Sequence, residues 1–229
     1  MSTQIPLNLS LRDRPSLNSF FIGRNRELLD RLQALIVGNT HERILYLWGD
    51  SGTGKTHLLH GACELAEQLG KSSMVLSLEH YPELTPLVLE GLEDNILICI
   101  DNIHCVSGDD AWQAGLFGLY ERLAARDGLL LVSAMAPPMH SGLDMSELRT
   151  RLAAGLVYQL QGLSDGDKLV VLHDRAQRCG LDLPEEVARY ILQRYPRDLP
   201  ALFGVLERLD KMALATQRRL TIPLVRSLE

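Results

Sequence analysis

Residues 49–56 read Gly-Asp-Ser-Gly-Thr-Gly-Lys-Thr and fit the pattern GxxxxGK[ST] at every fixed position. Glycines at these spacings open backbone conformations closed to other residues, so successive N–H groups can converge on one point. Such a nest takes phosphate oxygens. Immediately before it, ILYLW (44–48) is a short apolar run of strand character. Immediately after it, LLHGACELAEQL (58–69) carries the period of a helix. Strand, glycine turn and helix together make this a phosphate loop and not a chance turn, with the helix N-terminus aimed at the anion. Lys55 would reach the β- and γ-phosphates, and the Thr56 hydroxyl would ligate Mg²⁺. Gly49, Asp50, Ser51, Gly52, Thr53, Gly54 and His57 complete the candidate nucleotide-binding segment.

The same alternation runs on through the chain. Strands are predicted at 44–48, 73–78 (SMVLSL), 95–101 (NILICID), 128–134 (GLLLVSA) and 156–160 (LVYQL). Helices are predicted at 24–37, 58–69, 81–92 (YPELTPLVLEGL), 111–125 and 146–153. Strands this apolar are covered on both faces, which means a parallel five-stranded sheet in an α/β fold. After Leu163 the strand pattern stops. Helices are expected at 163–180, opened by a Ser164/Asp167 capping box and closed on Gly180; at 183–195, with Pro184 in the first turn; at 198–217; and at 221–229. The first 19 residues hold two prolines and no helical period, and read as an extended, mobile arm. The chain divides into this arm (1–19), an α/β nucleotide-binding domain (20–162) and a small all-helical domain (163–229).

Asp101 ends an apolar strand, where a carboxylate would hold Mg²⁺ through water. Asn102 follows. An ATPase that polarises an attacking water carries a carboxylate at that place, and an amide cannot accept the proton. The expectation is slow hydrolysis or none. Ser133 stands at the tip of the 128–134 strand, where a hydroxyl could sense the γ-phosphate or the water, or do nothing beyond ending a strand.

The net charge of −6 argues against duplex DNA as the main ligand, since a dedicated binder carries a basic footprint. The N-terminus lacks the regions of a signal peptide, and no stretch approaches the roughly 18 apolar residues of a membrane span. A cytoplasmic protein away from membranes is expected. The four cysteines, Cys63, Cys99, Cys105 and Cys179, show no CxxC spacing and read as reduced thiols.

The phosphate loop, ILICIDN, Ser133, SELRTRL and YPRDLPALFGVLERLD together resemble the AAA+ proteins of the bacterial initiator DnaA clan, over essentially the whole chain. The resemblance implies a P-loop AAA+ domain followed by a helical lid. The initiator itself continues into a helix-turn-helix DNA-binding domain. This chain ends at TIPLVRSLE, just past the lid, so the regulatory-inactivator branch of the clan (the Hda family) is the expected place for it. Members of that branch carry an N-terminal sliding-clamp motif, QLxLxL. Here the residues are Gln4-Ile5-Pro6-Leu7-Asn8-Leu9, with Ile in place of Leu. Gln4 would be a hydrogen-bonding anchor, and Ile5, Leu7 and Leu9 apolar plugs of roughly 1.5–3 kcal/mol each when buried.

By the same resemblance, Arg151 in SELRTRL matches the arginine finger, a guanidinium that stabilises charge on a neighbour's transferring phosphoryl group. Arg149 is the nearby competitor. Arg197 in YPRDLPAL matches the sensor-2 arginine that touches bound nucleotide. The implied protein regulates the initiation of chromosomal replication. It would carry ADP or ATP with Mg²⁺, sit on the DNA-loaded sliding clamp (the polymerase beta subunit) and present Arg151 to ATP-bound DnaA. Hydrolysis in the initiator would then inactivate it, a negative regulation of initiation. DNA would be met mainly through the clamp, and head-to-tail homo-oligomers suit such domains. A different reading is a self-contained AAA+ ATPase of helicase-loader or transposition-helper type. It shares the phosphate loop, the sensor positions and the lid; Lys55 and Asp101 favour it, and Asn102 and the clamp-like arm disfavour it.

Overall fold

Alternate residues of the central strands serve two separate apolar layers. Ile44, Tyr46, Ile98, Ile100, Leu130 and Val132 face one way, and Leu45, Leu47, Leu97, Cys99, Leu129 and Leu131 the other. Both sets are buried, because helices cover both faces of the sheet. The computed structural model describes residues 15–216 and 220–228.

The elements are α1 (Arg26–Val37), β1 (Ile44–Trp48), α2 (Lys55–Gln68), β2 (Ser73–Ser77), β3 (Leu97–Asp101), α3 (Asp110–Ala124), β4 (Leu129–Ala134), α4 (Ser146–Ala153) and β5 (Leu156–Gln159). The five strands are all parallel, in the order β2-β3-β4-β1-β5. Helices α1 and α2 pack through Leu28, Leu32, Leu35, Leu58, Leu59 and Ala62 on one face. Helices α3 and α4 pack through Trp112, Leu116, Leu119, Leu148 and Leu152 on the other.

Past the sheet the chain is helical: α5 (Asp165–Arg178), α6 (Glu185–Arg194), α7 (Leu199–Thr216) and α8 (Ile222–Arg226). These close on their own core of Leu172, Val187, Ile191, Leu202, Leu206, Leu209 and Val225. The Ser164/Asp167 capping box forms as expected: Asp167 N–H donates to Ser164 Oγ at 3.1 Å, and Ser164 N–H donates back to Asp167 Oδ2 at 3.0 Å. Pro184 stands at the N-cap of α6, one residue ahead of the first turn.

Two expected stretches come out differently. Residues 81–92 do not form a helix. They fold into short 3₁₀ turns at Tyr81–Glu83, Pro86–Leu89 and Leu92–Asp94. Pro82 and Pro86 cannot donate to a helical ladder, and Thr85, ahead of Pro86, is held extended at φ −116°, ψ 155°. The apolar spacing there meets the core through Leu89 and Leu92 instead of along one helix face. Residues 15–19, read as the end of an extended arm, are also folded. Ser16 caps a 3₁₀ turn at Leu17–Ser19, and Leu17 is buried against α2. The clamp-type residues Gln4, Ile5, Leu7 and Leu9 lie outside the described residues.

Candidate functional site

The phosphate loop leaves the C-terminal end of β1 and enters α2, and its glycines are there for steric reasons. Gly54, the N-cap of α2, has φ 101°, and a Cβ on it would lie 2.9 Å from Phe20 Cε2. A Cβ on Gly49 would lie 2.7 Å from the Leu160 carbonyl oxygen. Because Gly54 has no side chain, the first-turn N–H groups of α2 are uncapped and remain as donors for an anion.

Lys55 is buried and donates from Nζ to the carbonyls of Gly49 at 2.7 Å and Asp50 at 2.8 Å, with Met135 Sδ 3.9 Å away. Burial lowers its pKa, against the opposing pull of Asp101 and Asp50. Its ammonium thus sits inside the loop that an incoming phosphate would occupy. Thr53 Oγ1 donates to the Asp50 carbonyl at 2.9 Å and tightens the same turn.

Asp101 is 2% exposed and both its oxygens are engaged. Thr56 Oγ1 donates to Oδ2 at 2.7 Å, and Ser133 Oγ donates to Oδ1. Ser133 in turn accepts the N–H of Asn102 at 2.9 Å. Ser133 is fully buried, so its hydroxyl holds Asp101 and Asn102 from behind. Asn102 is left-handed at φ 61°, ψ 47°, a conformation asparagine tolerates better than most residues. Thr56 and Asp101 present two adjacent hard oxygens, a donor set that suits Mg²⁺. These residues fit the nucleotide–magnesium pair implied by the motif.

His57 is engaged by the N-terminal segment. Its Nε2 lies 2.9 Å from the Ser16 carbonyl and 3.2 Å from Ser19 Oγ, and its ring packs against Phe20 at 5.8 Å. Burial lowers its pKa. The lid reaches the loop from the other side. A Cβ on Gly52 would meet Asp198 Cβ at 3.2 Å, and Asp198 caps α7 through the Ala201 N–H at 2.8 Å. Arg197, next to it, is exposed and donates to Asp165 Oδ2 at 3.1 Å. Asn25 ties the start of the domain to the chain that leads into the lid: its Nδ2 donates to the Gln161 carbonyl at 3.1 Å and its Oδ1 accepts the Gln161 N–H at 2.9 Å.

Arg151 and Arg149 differ sharply. Arg149 Nη1 donates to the Leu143 carbonyl at 3.0 Å and its Nε is buried without a partner. The Arg151 side chain is 53% exposed, 3.8 Å from Glu121 and over the Tyr120 ring at 5.8 Å. Tyr120 lines a cavity with Ile44, Leu130 and Gly155, which lie at the N-terminal ends of the strands. The phosphate loop leaves their C-terminal ends. Arg151 therefore lies toward the strand ends opposite the chain's own phosphate loop.

Sequence reasoning missed Met135 and Phe20. Met135 lies two residues past Ser133 at a strand C-terminal end, where α/β sites collect, so position alone could have flagged it. Phe20 sits 34 residues from Gly54 and carries no local signal.

Two family models divide the chain between them: the bacterial DnaA ATPase domain over residues 11–159 and the Hda lid domain over residues 165–228. Among solved structures, domain III of the Thermotoga maritima replication initiation protein DnaA superposes with a TM-score of 0.80 at 18% identity, covering 92% of this chain and 93% of that one. AMPPCP-bound DnaA from Aquifex aeolicus gives 0.74 at 19% identity, over 89% of this chain and 67% of that one. The Thermotoga maritima RuvB Holliday junction branch migration motor gives 0.71 at 20% identity, over 93% and 70%. At these identities the likeness is one of fold.

Proposed function

This chain belongs to the bacterial DnaA ATPase-domain family of AAA+ proteins, with a lid of the Hda type, and from that premise we propose that it regulates replication initiation by completing another protein's ATPase site. The nucleotide it holds, ADP or ATP with Mg²⁺, is mainly structural. The backbone donors of the loop and Lys55 bind the phosphates, Thr56 and Asp101 hold the metal, and Arg197 on the lid closes over the nucleotide. The metal would offset the negative charge of the phosphates. Asn102 offers no base, so hydrolysis in this site is slow.

The observation that carries the reading is the position of Arg151: half exposed, on the side of the sheet away from the chain's own loop, while Arg149 is tied to backbone. A guanidinium there can act only on a neighbour. The neighbour is the ATP-bound initiator DnaA, met while Gln4, Ile5, Leu7 and Leu9 hold the chain to the DNA-loaded sliding clamp. DNA is contacted through the clamp.

The test is phosphate release from ATP-loaded DnaA mixed with clamp on DNA and this protein. Release should be stimulated, should fall to the unstimulated rate with Arg151→Ala, and should fall likewise when residues 1–10 are deleted. Stimulation that survives Arg151→Ala overturns the finger. The second reading, a self-contained ATPase, draws on the buried Lys55 and the Thr56–Asp101 pair, which are intact. Brisk ATP turnover by the isolated chain would establish it instead.

A further inference from the structure

Helix α2 and strand β3 are joined by two side-chain rungs. The upper rung is Thr56 Oγ1 to Asp101 Oδ2 at 2.7 Å. The lower is Cys63 Sγ to Cys99 Sγ at 3.6 Å, with both thiols buried and free. Regular geometry sets both. Thr56 and Cys63 are seven residues apart, two turns along one face of a helix. Asp101 and Cys99 are two apart, on one face of a strand. The thiols therefore meet directly beneath the magnesium-binding pair, although 36 residues separate them in the chain.

We propose that Cys63 and Cys99 form a redox modification site, closing to an intramolecular disulfide that crosslinks the phosphate-loop helix to the strand bearing Asp101 when the protein meets a hydroperoxide. A disulfide needs the sulfurs at about 2.05 Å, so they must approach by roughly 1.5 Å. Strand β3 is fixed by pairing with β2 and β4 on either side, so side-chain rotation and α2 supply the movement.

Cys63 is the attacking sulfur. It is 7% exposed where Cys99 is fully enclosed, and the hydrogen bond from Cys99 lowers its pKa. Its thiolate attacks the peroxide oxygen. The O–O bond breaks, the sulfur becomes a sulfenic acid, and the leaving oxygen departs as an alcohol, or as water from hydrogen peroxide, after taking a proton. Cys99 Sγ then attacks Cys63 Sγ. The S–S bond forms, the S–O bond breaks, and water leaves with the Cys99 proton. Two thiols are oxidised and one hydroperoxide is reduced. This inference rests on the fold and the thiol pair and is independent of the arginine finger.

The experiment uses the full chain carrying Cys105→Ser and Cys179→Ser, so that no other thiol competes. The protein is treated with hydrogen peroxide, alkylated, then unfolded and digested without reductant. Mass spectrometry should recover the Cys63 and Cys99 peptides joined and two hydrogens lighter than their sum. The thermal midpoint should rise by several degrees and return on reduction, since a crosslink restricts the unfolded chain. Adding Cys63→Ser should abolish both effects while the circular dichroism of the untreated protein is unchanged. Recovery of both cysteines as separate peptides after treatment of folded protein overturns the proposal, as does a joined pair found only between chains.

Discussion

Ser133→Ala separates two roles for that residue. A serine that only sensed the γ-phosphate could be lost with no effect on the fold. In this structure Ser133 Oγ serves Asp101 Oδ1 and the Asn102 N–H at once, and Ser133 and Asp101 are 0% and 2% exposed. Removing the oxygen leaves a buried carboxylate oxygen and a part-buried N–H without this partner. Each orphan costs about 1–3 kcal/mol, more for the charged one. The volume lost is a single oxygen, so no cavity term of note is added. The sum is about 2–6 kcal/mol, against a total of about 5–15 kcal/mol for a domain, so the variant is clearly weakened. Thr56 still donates to Oδ2 at 2.7 Å, so Asp101 keeps one anchor and should wander more than it should leave. Urea unfolding followed by circular dichroism should show a lower midpoint at an unchanged slope. Magnesium-dependent nucleotide affinity should fall with it. Ser133→Cys keeps a weak donor and should lie between the two. A Ser133→Ala protein as stable as the parent, with only its nucleotide affinity reduced, would refute the positioning role.

Other outcomes are as specific. Asn25→Ala removes both hydrogen bonds between the buried Asn25 amide and the Gln161 backbone. It should cost about 1–3 kcal/mol and lower the thermal midpoint by roughly 2–12 °C in calorimetry; no shift would sink the tie between domain start and lid linker. Gly54→Ala must place a Cβ 2.9 Å from Phe20 at φ 101°. Equilibrium titration with a fluorescent nucleotide should show at least about tenfold weaker binding, with about 1–3 kcal/mol lost from stability; parent-like binding would show that the loop tolerates the side chain. Arg151→Ala should change stability by less than about 0.5 kcal/mol, because its side chain is half exposed and its Glu121 contact is long, whereas Arg149→Ala should be measurably destabilised in the same urea titration. Burial lowers the pKa of His57, so the unfolded chain takes up that proton more readily than the folded one. Its contribution is complete above the unfolded value near 6.5 and is lost as pH falls towards the lower folded value. Thermal midpoints between about pH 7.5 and pH 5 should therefore drop less steeply in His57→Gln than in the parent; parallel curves would remove His57 as a cause.

Much of the architecture was legible because it is written in short-range preference. The strand run 44–48 and the helix 146–153 have the bounds read from periodicity, and the Ser164/Asp167 box forms where the spacing put it. Failures came where a local pattern met a stronger constraint. The apolar spacing of 81–92 was helical, but two prolines withheld the hydrogen bonds a helix needs. The turn at Leu17–Ser19 gave no signal at all, since what folds it is the surface of α2 waiting for Leu17.

By itself the sequence determined that a phosphate loop must sit between a buried strand and a helix, that five such strands lie parallel under helices on both faces, and that a separate helical unit follows. Those outcomes depend on backbone sterics and on the period at which apolar residues recur, both of which act within a few residues. Only the tertiary structure decided that Ser133 stands behind Asp101, that His57 faces the N-terminal segment, that the Arg151 side chain is half exposed while Arg149 is tied to the Leu143 carbonyl, and that Cys63 lies on Cys99. Such contacts join residues tens of positions apart, and they are set by how helices seat on a twisted sheet, which no local pattern encodes.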